Sequence, residues 1–222
     1  MVTELVIVGG DPALDLVNTL GDDRVADPLG DYESFARWAA QIEVIDDDVA
    51  RRLAARAAER PAAARRALTE ARSLRGVLDA VFRPLATAHE PPPEDGPPAT
   101  AHDPPPEGGP PATAHDPPPD ALAELVRLAG AAVERGRLVP ADGGFSLAWS
   151  SDHLARPLWP IAAAGVDLLR AGPLDRLQQC AGCPWLFLDT SRNRSRRWCS
   201  MSVCGANSKM RRYRARLATE GR

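Results

Sequence analysis

Cys180, Cys183, Cys199 and Cys204 are the four cysteines of this 222-residue chain, spaced C-x2-C, fifteen residues, then C-x4-C within its last fifth. A two-residue gap lets both thiolates turn inward from one tight knuckle and reach the same metal. A second pair completes the closed four-sulfur tetrahedron that Zn²⁺ takes in structural sites. The spacing therefore predicts one structural zinc, with the stretch from Pro184 to Trp198 forming an out-and-back hairpin that returns the second pair to the first. An iron–sulfur cluster uses the same four thiolates and is the competing chemistry. A catalytic zinc is not expected, because such sites keep one position open and four thiolates close the shell. Thioredoxin-like redox chemistry does not call for a second pair placed in this way. Disulfides would need an oxidising compartment, and the N-terminus shows no basic n-region, with an apolar run (Leu5 to Val8) too short for a signal peptide.

The charge distribution adds a second signal. The net charge is −3, yet from Arg176 to Arg222 eleven basic residues face only Asp189 and Glu220, a net +9 that leaves the preceding 175 residues at −12. Four thiolates around Zn²⁺ lower the tail to about +7. An acidic body with a basic, metal-stapled tail points to a polyanion partner. The candidate nucleic-acid contacts are Arg192, Arg194, Arg196 and Arg197 on the tip of the expected hairpin, and Lys209, Arg211, Arg212, Arg214 and Arg216 on a following helix. Arginine's planar fork suits phosphates and guanine edges alike, and phosphate is the safer expectation because charge alone gives sequence-independent affinity. The competing reading is a zinc module for protein contact, with the tail docking on an acidic surface, including that of its own body.

Other polar constellations are weaker. Asp15 and Asn18 lie at i and i+3 beside the Gly9-Gly10 turn, a position for a ligand-sensing site or, more ordinarily, for helix capping and buried hydrogen bonds. Outside the repeat described below only His153 remains, beside Asp152 and Ser151. Sequence adjacency does not make a triad, so no catalytic residue is expected. The Leu5-Val-Ile-Val-Gly-Gly opening lacks Gly-x-Gly-x-x-Gly spacing, and Asp11 would sit where a pyrophosphate needs backbone amides, so it reads as one side of a small hairpin. No apolar stretch is long enough for a membrane span, which leads to the expectation of a cytoplasmic protein.

These residues must be positioned by a mainly helical scaffold. Apolar periodicity predicts helices over 32–41 (cap at Asp31), 46–58, 62–85, 120–134 (capped by Asp120) and 157–170, with Asp46-Asp47-Asp48 as a favourable helix start rather than a metal site. Residues 138–149 read as a hairpin turning at Asp142-Gly143-Gly144. Residues 86–119 carry a thirteen-residue repeat, Ala-Thr-Ala-His-Glu/Asp-Pro-Pro-Pro, whose prolines exclude helix and central strand. It is expected to be a disordered, acidic insertion, its histidines His89, His102 and His115 explained by duplication rather than by metal capture. Met210, Tyr213 and Leu217 share a helical face expected to pack onto the knuckle with Trp185 and Phe187.

Two stretches together carry a family resemblance. Leu14-Asp15-Leu16-Val17-Asn18-Thr19 resembles the L-D-F-V-N-T signature of the bacterial ABATE domain. The run from Cys180-Ala-Gly-Cys183-Pro-Trp to Trp198-Cys199-Ser-Met-Ser-Val-Cys204-Gly205 resembles the CGNR zinc finger that usually ends such proteins. The resemblance implies a stress-induced transcription regulator with a mainly helical N-terminal domain. After Cys204-Gly205 the family carries Asn-Arg, whereas Ala206 and Asn207 stand here. A natural phosphate contact is thereby lost and the zinc shell left intact, with Asn207 placed to cap the next helix.

The resulting expectation is mainly α: an ABATE-like helical domain over 1–172 with small β-hairpins, then over 173–222 a four-cysteine zinc ribbon followed by a basic helix. The expected function is zinc-dependent DNA binding in transcription regulation, with the helical domain sensing a signal or forming a homodimer. No residue signature identifies a small-molecule effector.

Overall fold

The computed structural model describes residues 7–20, 27–88, 116–210 and 213–214. Of the expected first strand, Leu5 and Val6 lie outside the described residues and Ile7 and Val8 are coil, and most of the Pro-rich repeat, with its three histidines, also lies outside the described residues. So do Arg211, Arg212, Arg216 and Leu217.

Helix α1 (Pro12–Val17) is short and central. Asp11 caps it by accepting the Ala13 N–H at 2.8 Å, Pro12 occupies a first-turn position that has no N–H to satisfy, and Ala13 through Val17 are all buried. Helices α2 (Tyr32–Gln41) and α3 (Asp47–Glu59) begin on the caps Asp31, which accepts Ser34 N–H, and Asp46, which accepts Val49 N–H. The Asp46-Asp47-Asp48 run is thus a helix start, as its sequence suggested. Helix α4 (Pro61–Leu85) is the longest element, followed by strand β1 (Thr87–Ala88). Helix α5 (Pro119–Arg135) opens on Pro118, so Asp120 sits inside its first turn rather than capping it. The hairpin β2 (Arg137–Ala141) and β3 (Gly144–Ala148) turns at Asp142-Gly143, with Gly143 in the left-handed region at φ 79°. Helix α6 (Leu158–Ala171) completes the bundle.

Phe35, Leu53, Leu78, Phe82, Leu125 and Ile161, fully buried, hold α2 through α6 together, and α1 packs against α4 and α6. Gly165 permits the close crossing of α6 over α4, since a Cβ there would stand 2.8 Å from Leu78 Cδ2.

The last sheet joins the two halves of the sequence. Strand β4 (Leu177–Gln179) pairs antiparallel with β5 (Leu186–Leu188), and on its other side β4 pairs parallel with β1. Leu177, Leu186 and Leu188 belong to the same hydrophobic cluster as the helices. This hairpin surrounds the first cysteine pair. The expected one over 184–198 is not formed: residues 189–200 run as turns and coil, because β5 ends at Leu188 and the chain is then held by Asp189.

Candidate metal centre

The first knuckle is the turn between β4 and β5. Cys180 N–H donates to Trp185 O at 2.9 Å, closing the turn so that Cys180 and Cys183 face one point. Gly182 leaves little room for a side chain, since a Cβ would meet the Trp198 ring at 3.1 Å and Cys204 Cβ at 3.3 Å. Cys199 arrives on a coil segment fixed by Ala181 N–H donating to Arg197 O at 3.0 Å. Cys204 sits in a single π-helical turn, Met201–Gly205, from which the C-terminal helix continues over 206–210.

All four Sγ atoms lie within 4.8 Å of one another, with Cys183–Cys199 and Cys199–Cys204 both at 3.6 Å. A tetrahedron with Zn–S bonds of about 2.3 Å has edges of about 3.8 Å, so this donor set fits one zinc ion. Cys180, Cys199 and Cys204 are buried with Trp185 and Phe187 in a second small core. Backbone N–H groups of Gly182 (3.4 Å) and Cys199 (3.3 Å) point at Cys180 Sγ. Hydrogen bonds from the Cys183 and Cys199 thiols pull the Cys180 thiol down, and those two are pushed up in return by the same contacts. Sulfurs this close cannot all ionise against one another, so a bound cation is what lets four thiolates coexist.

Arg196 was among the expected DNA contacts, but the structure turns it inward. Its guanidinium donates to Trp198 O at 3.0 Å and to Cys199 O, and stands 4.6 Å from the Phe187 ring centroid. The sequence reading gave Asp189 no structural part. It is fully buried and accepts N–H from Ser191 (2.8 Å) and Arg196 (3.0 Å). Burial raises its pKa, and these hydrogen bonds outweigh that and hold it below the ordinary aspartate value. Arg176 clamps the same loop by donating to Asp189 O and Ser191 O. An acid in the middle of a basic run was the available signal for this role.

Arg192 and Arg194 remain exposed, Arg194 at φ 52° and paired with Asp175 at 2.6 Å; Arg197 is half-buried. Lys209 and Arg214 are exposed on the C-terminal helix. Met210 and Tyr213 do not pack on the knuckle as expected: they are 49% and 58% exposed, while Ser208 faces inward. Entry through a π turn rotates the helix relative to the phase that i, i+3 spacing suggests. Asn207 lies within that helix, exposed, and caps nothing.

Asp15 and Asn18 both find backbone partners. Asp15 Oδ1 accepts the Gly9 N–H at 2.8 Å, and burial pushes its carboxyl up to about 6. Asn18 donates through Nδ2 to Leu186 O at 2.8 Å and accepts the Leu186 N–H at 2.7 Å, so the helical domain grips β5 immediately after the first knuckle. Thr19 accepts from the buried Arg75 at 3.0 Å. His153 N–H donates to Ser151 Oγ, and His153 Nδ1 accepts the Ala155 N–H. No helix among the described residues is long and apolar enough to cross a membrane.

Comparison with curated proteins and with solved structures returns no match. Two family models do match. Residues 176–217 match the CGNR zinc finger, and residues 10–172 match ABATE, described as "Putative stress-induced transcription regulator". The matched segments meet at the sheet that Asn18 grips, and the cysteine cluster lies inside the second. The chain belongs to the ABATE family and carries a CGNR zinc finger whose four cysteines hold one structural zinc ion.

Proposed function

We propose that the protein is a DNA-binding transcription regulator whose zinc module contacts the phosphate backbone while its helical domain senses a signal or dimerises. The observation that carries this reading is the concentration of charge: a net +9 over 176–222 on a chain of net −3, with Arg192, Arg194, Lys209 and Arg214 exposed around a rigid metal knuckle. Zinc would have a scaffolding part, holding the basic loop over 191–197 and the C-terminal helix at fixed separation so that both meet one polyanion. The Arg194–Asp175 pair is exposed, and such a pair is weak enough to be exchanged for a phosphate. In this reading the protein is not an enzyme.

The test is fluorescence anisotropy of zinc-quantified protein on random duplex DNA across a salt series. Binding should weaken steeply with salt, disappear on chelation, and lose about 0.9 of log–log slope for each phosphate contact removed by Arg192→Gln, Arg194→Gln or Lys209→Gln. Zinc-loaded protein that fails to bind at low salt sinks the proposal.

That failure would favour the second reading, a zinc-stabilised protein-interaction module. The observation behind it is the exposure of Met201, Met210 and Tyr213 beside the metal centre, apolar surface suited to a protein partner.

A further inference from the structure

The helical domain contains a cleft between α4, α5 and α6 that encloses about 470 Å³, within the range of small-molecule sites. Its floor is apolar: Leu74, Leu158 and Ala162 are buried there, and Leu128 is half-buried. Trp159 and His153 form one wall, stacked with ring centroids 5.7 Å apart and planes at 25°. His153 Nδ1 accepts the Ala155 N–H, which in the neutral ring places the proton on Nε2 and leaves that nitrogen a donor.

The charges on the rim are unequal in availability. Glu124 neutralises Arg127 through two hydrogen bonds of 2.7 and 2.6 Å. Arg135 instead donates to Ala131 O of its own helix and lies 5.8 Å from the Trp159 ring centroid, with no ion pair to an acid among the described residues. A cation held against an aromatic wall above an apolar floor suits a ligand with a flat ring and one negative group. Glu70 lines the same cleft from α4 and would oppose a second negative charge.

The geometry points to this cleft as a binding site for a small planar aromatic monoanion, with its ring against Trp159 and His153 and its anionic group at Arg135. Such a ligand would bridge α4, α5 and α6, and α4 and α6 are the helices against which α1 packs, so it would act on the element that grips the zinc ribbon.

The experiment is a fluorescence titration of zinc-loaded, full-length protein with two probes of similar shape. These are 1-anilinonaphthalene-8-sulfonate, which is anionic, and the neutral N-phenyl-1-naphthylamine. The sulfonate should bind saturably at one site per chain. Arg135→Gln should weaken it roughly tenfold, as expected for loss of a charge-assisted contact, and change the neutral probe by less than about twofold. Arg135→Lys, which keeps the charge, should retain most of the sulfonate affinity, and Trp159→Ala should weaken both probes. Thermal melting of each variant separates loss of the site from loss of the fold, with Trp159→Phe as the conservative alternative if the alanine variant does not fold. Absence of saturable sulfonate binding, equal loss of both probes in Arg135→Gln, or unchanged sulfonate binding in that variant would each overturn the proposal. DNA plays no part in the titration, so the result is independent of the role proposed for the zinc module.

Discussion

Asn18 and Leu186 are 168 residues apart and joined by two hydrogen bonds, the Asn18 amide pairing with both backbone groups of Leu186 as a neighbouring strand would. The side chain of a helix-terminal residue thus completes the hydrogen bonding of a strand in the zinc module. Both groups are buried, so neither can turn to water when its partner is lost.

Replacing Asn18 by alanine should therefore cost about 2–6 kcal/mol, the sum of two buried backbone groups left unsatisfied at about 1–3 kcal/mol each. The same variant should surrender its zinc faster to a chelator, because β5 directly follows the first knuckle. Denaturant melts and a chromophoric chelator assay read the two effects. A variant with parental stability would show that Asn18 is not a structural clasp.

Metal removal should be felt beyond the finger. Phe187 on β5 and Trp185 just before it are buried with the cysteines, whereas Leu177 on β4 and Leu186 on β5 are buried with the helices. Stripping zinc, or replacing Cys204 by serine, should red-shift tryptophan emission and lower the melting temperature of the whole chain. Metal analysis should move from one zinc per chain to none. An unchanged cooperative melt after complete zinc removal would contradict this coupling.

Asp15 should make stability fall with rising pH. Desolvation pushes its carboxyl from 3.8 up to about 6 in the fold, so the folded chain holds this proton more tightly than the unfolded one. Its contribution is complete below about pH 4 and is lost as the pH rises through about 6. Asp15→Asn keeps an acceptor for the Gly9 N–H and carries no charge. It should flatten the profile between those values and exceed the parent's stability above pH 7 by about 3 kcal/mol. Asp11 is also raised by burial and slopes the same way, so the readout is the difference between variant and parent. A parallel pair of profiles would argue against a desolvated Asp15.

Much of this architecture was legible in the chain because its signals are local. Cysteine spacing announced the metal set, helical periodicity located α2 through α6 to within two residues at each end, and Asp142-Gly143-Gly144 marked the β2–β3 turn. The hairpin around the first knuckle was not legible. Its strands are three residues each, too short for alternation to register, while the basic run after Asp189 looked more like a hairpin tip. Arg196 reads as one more surface cation until Phe187 and the Cys199 carbonyl are seen to receive it. The exposure of Met210 and Tyr213 depends on a π turn that shifts the helical phase, and nothing in the spacing announces such a turn. Asn18 carried the right class of answer, a buried hydrogen-bond partner, without its address, since Leu186 lies at the far end of the chain.

The pairing of α1 with β5 has one more consequence. Alternation along β5 turns Trp185 O and Phe187 toward β4 and leaves the N–H and C=O of Leu186 and the N–H of Leu188 facing the other way. Asn18 takes the first two, and Gly9 O accepts the third at 3.0 Å. Three backbone groups on that edge of the zinc ribbon are therefore already taken, which leaves little of the open strand on which other chains add strands and aggregates grow. The Gly9 turn and the Asn18 amide serve as its guard against self-assembly, so a zinc ribbon expressed without α1 should be sticky even when its metal is in place.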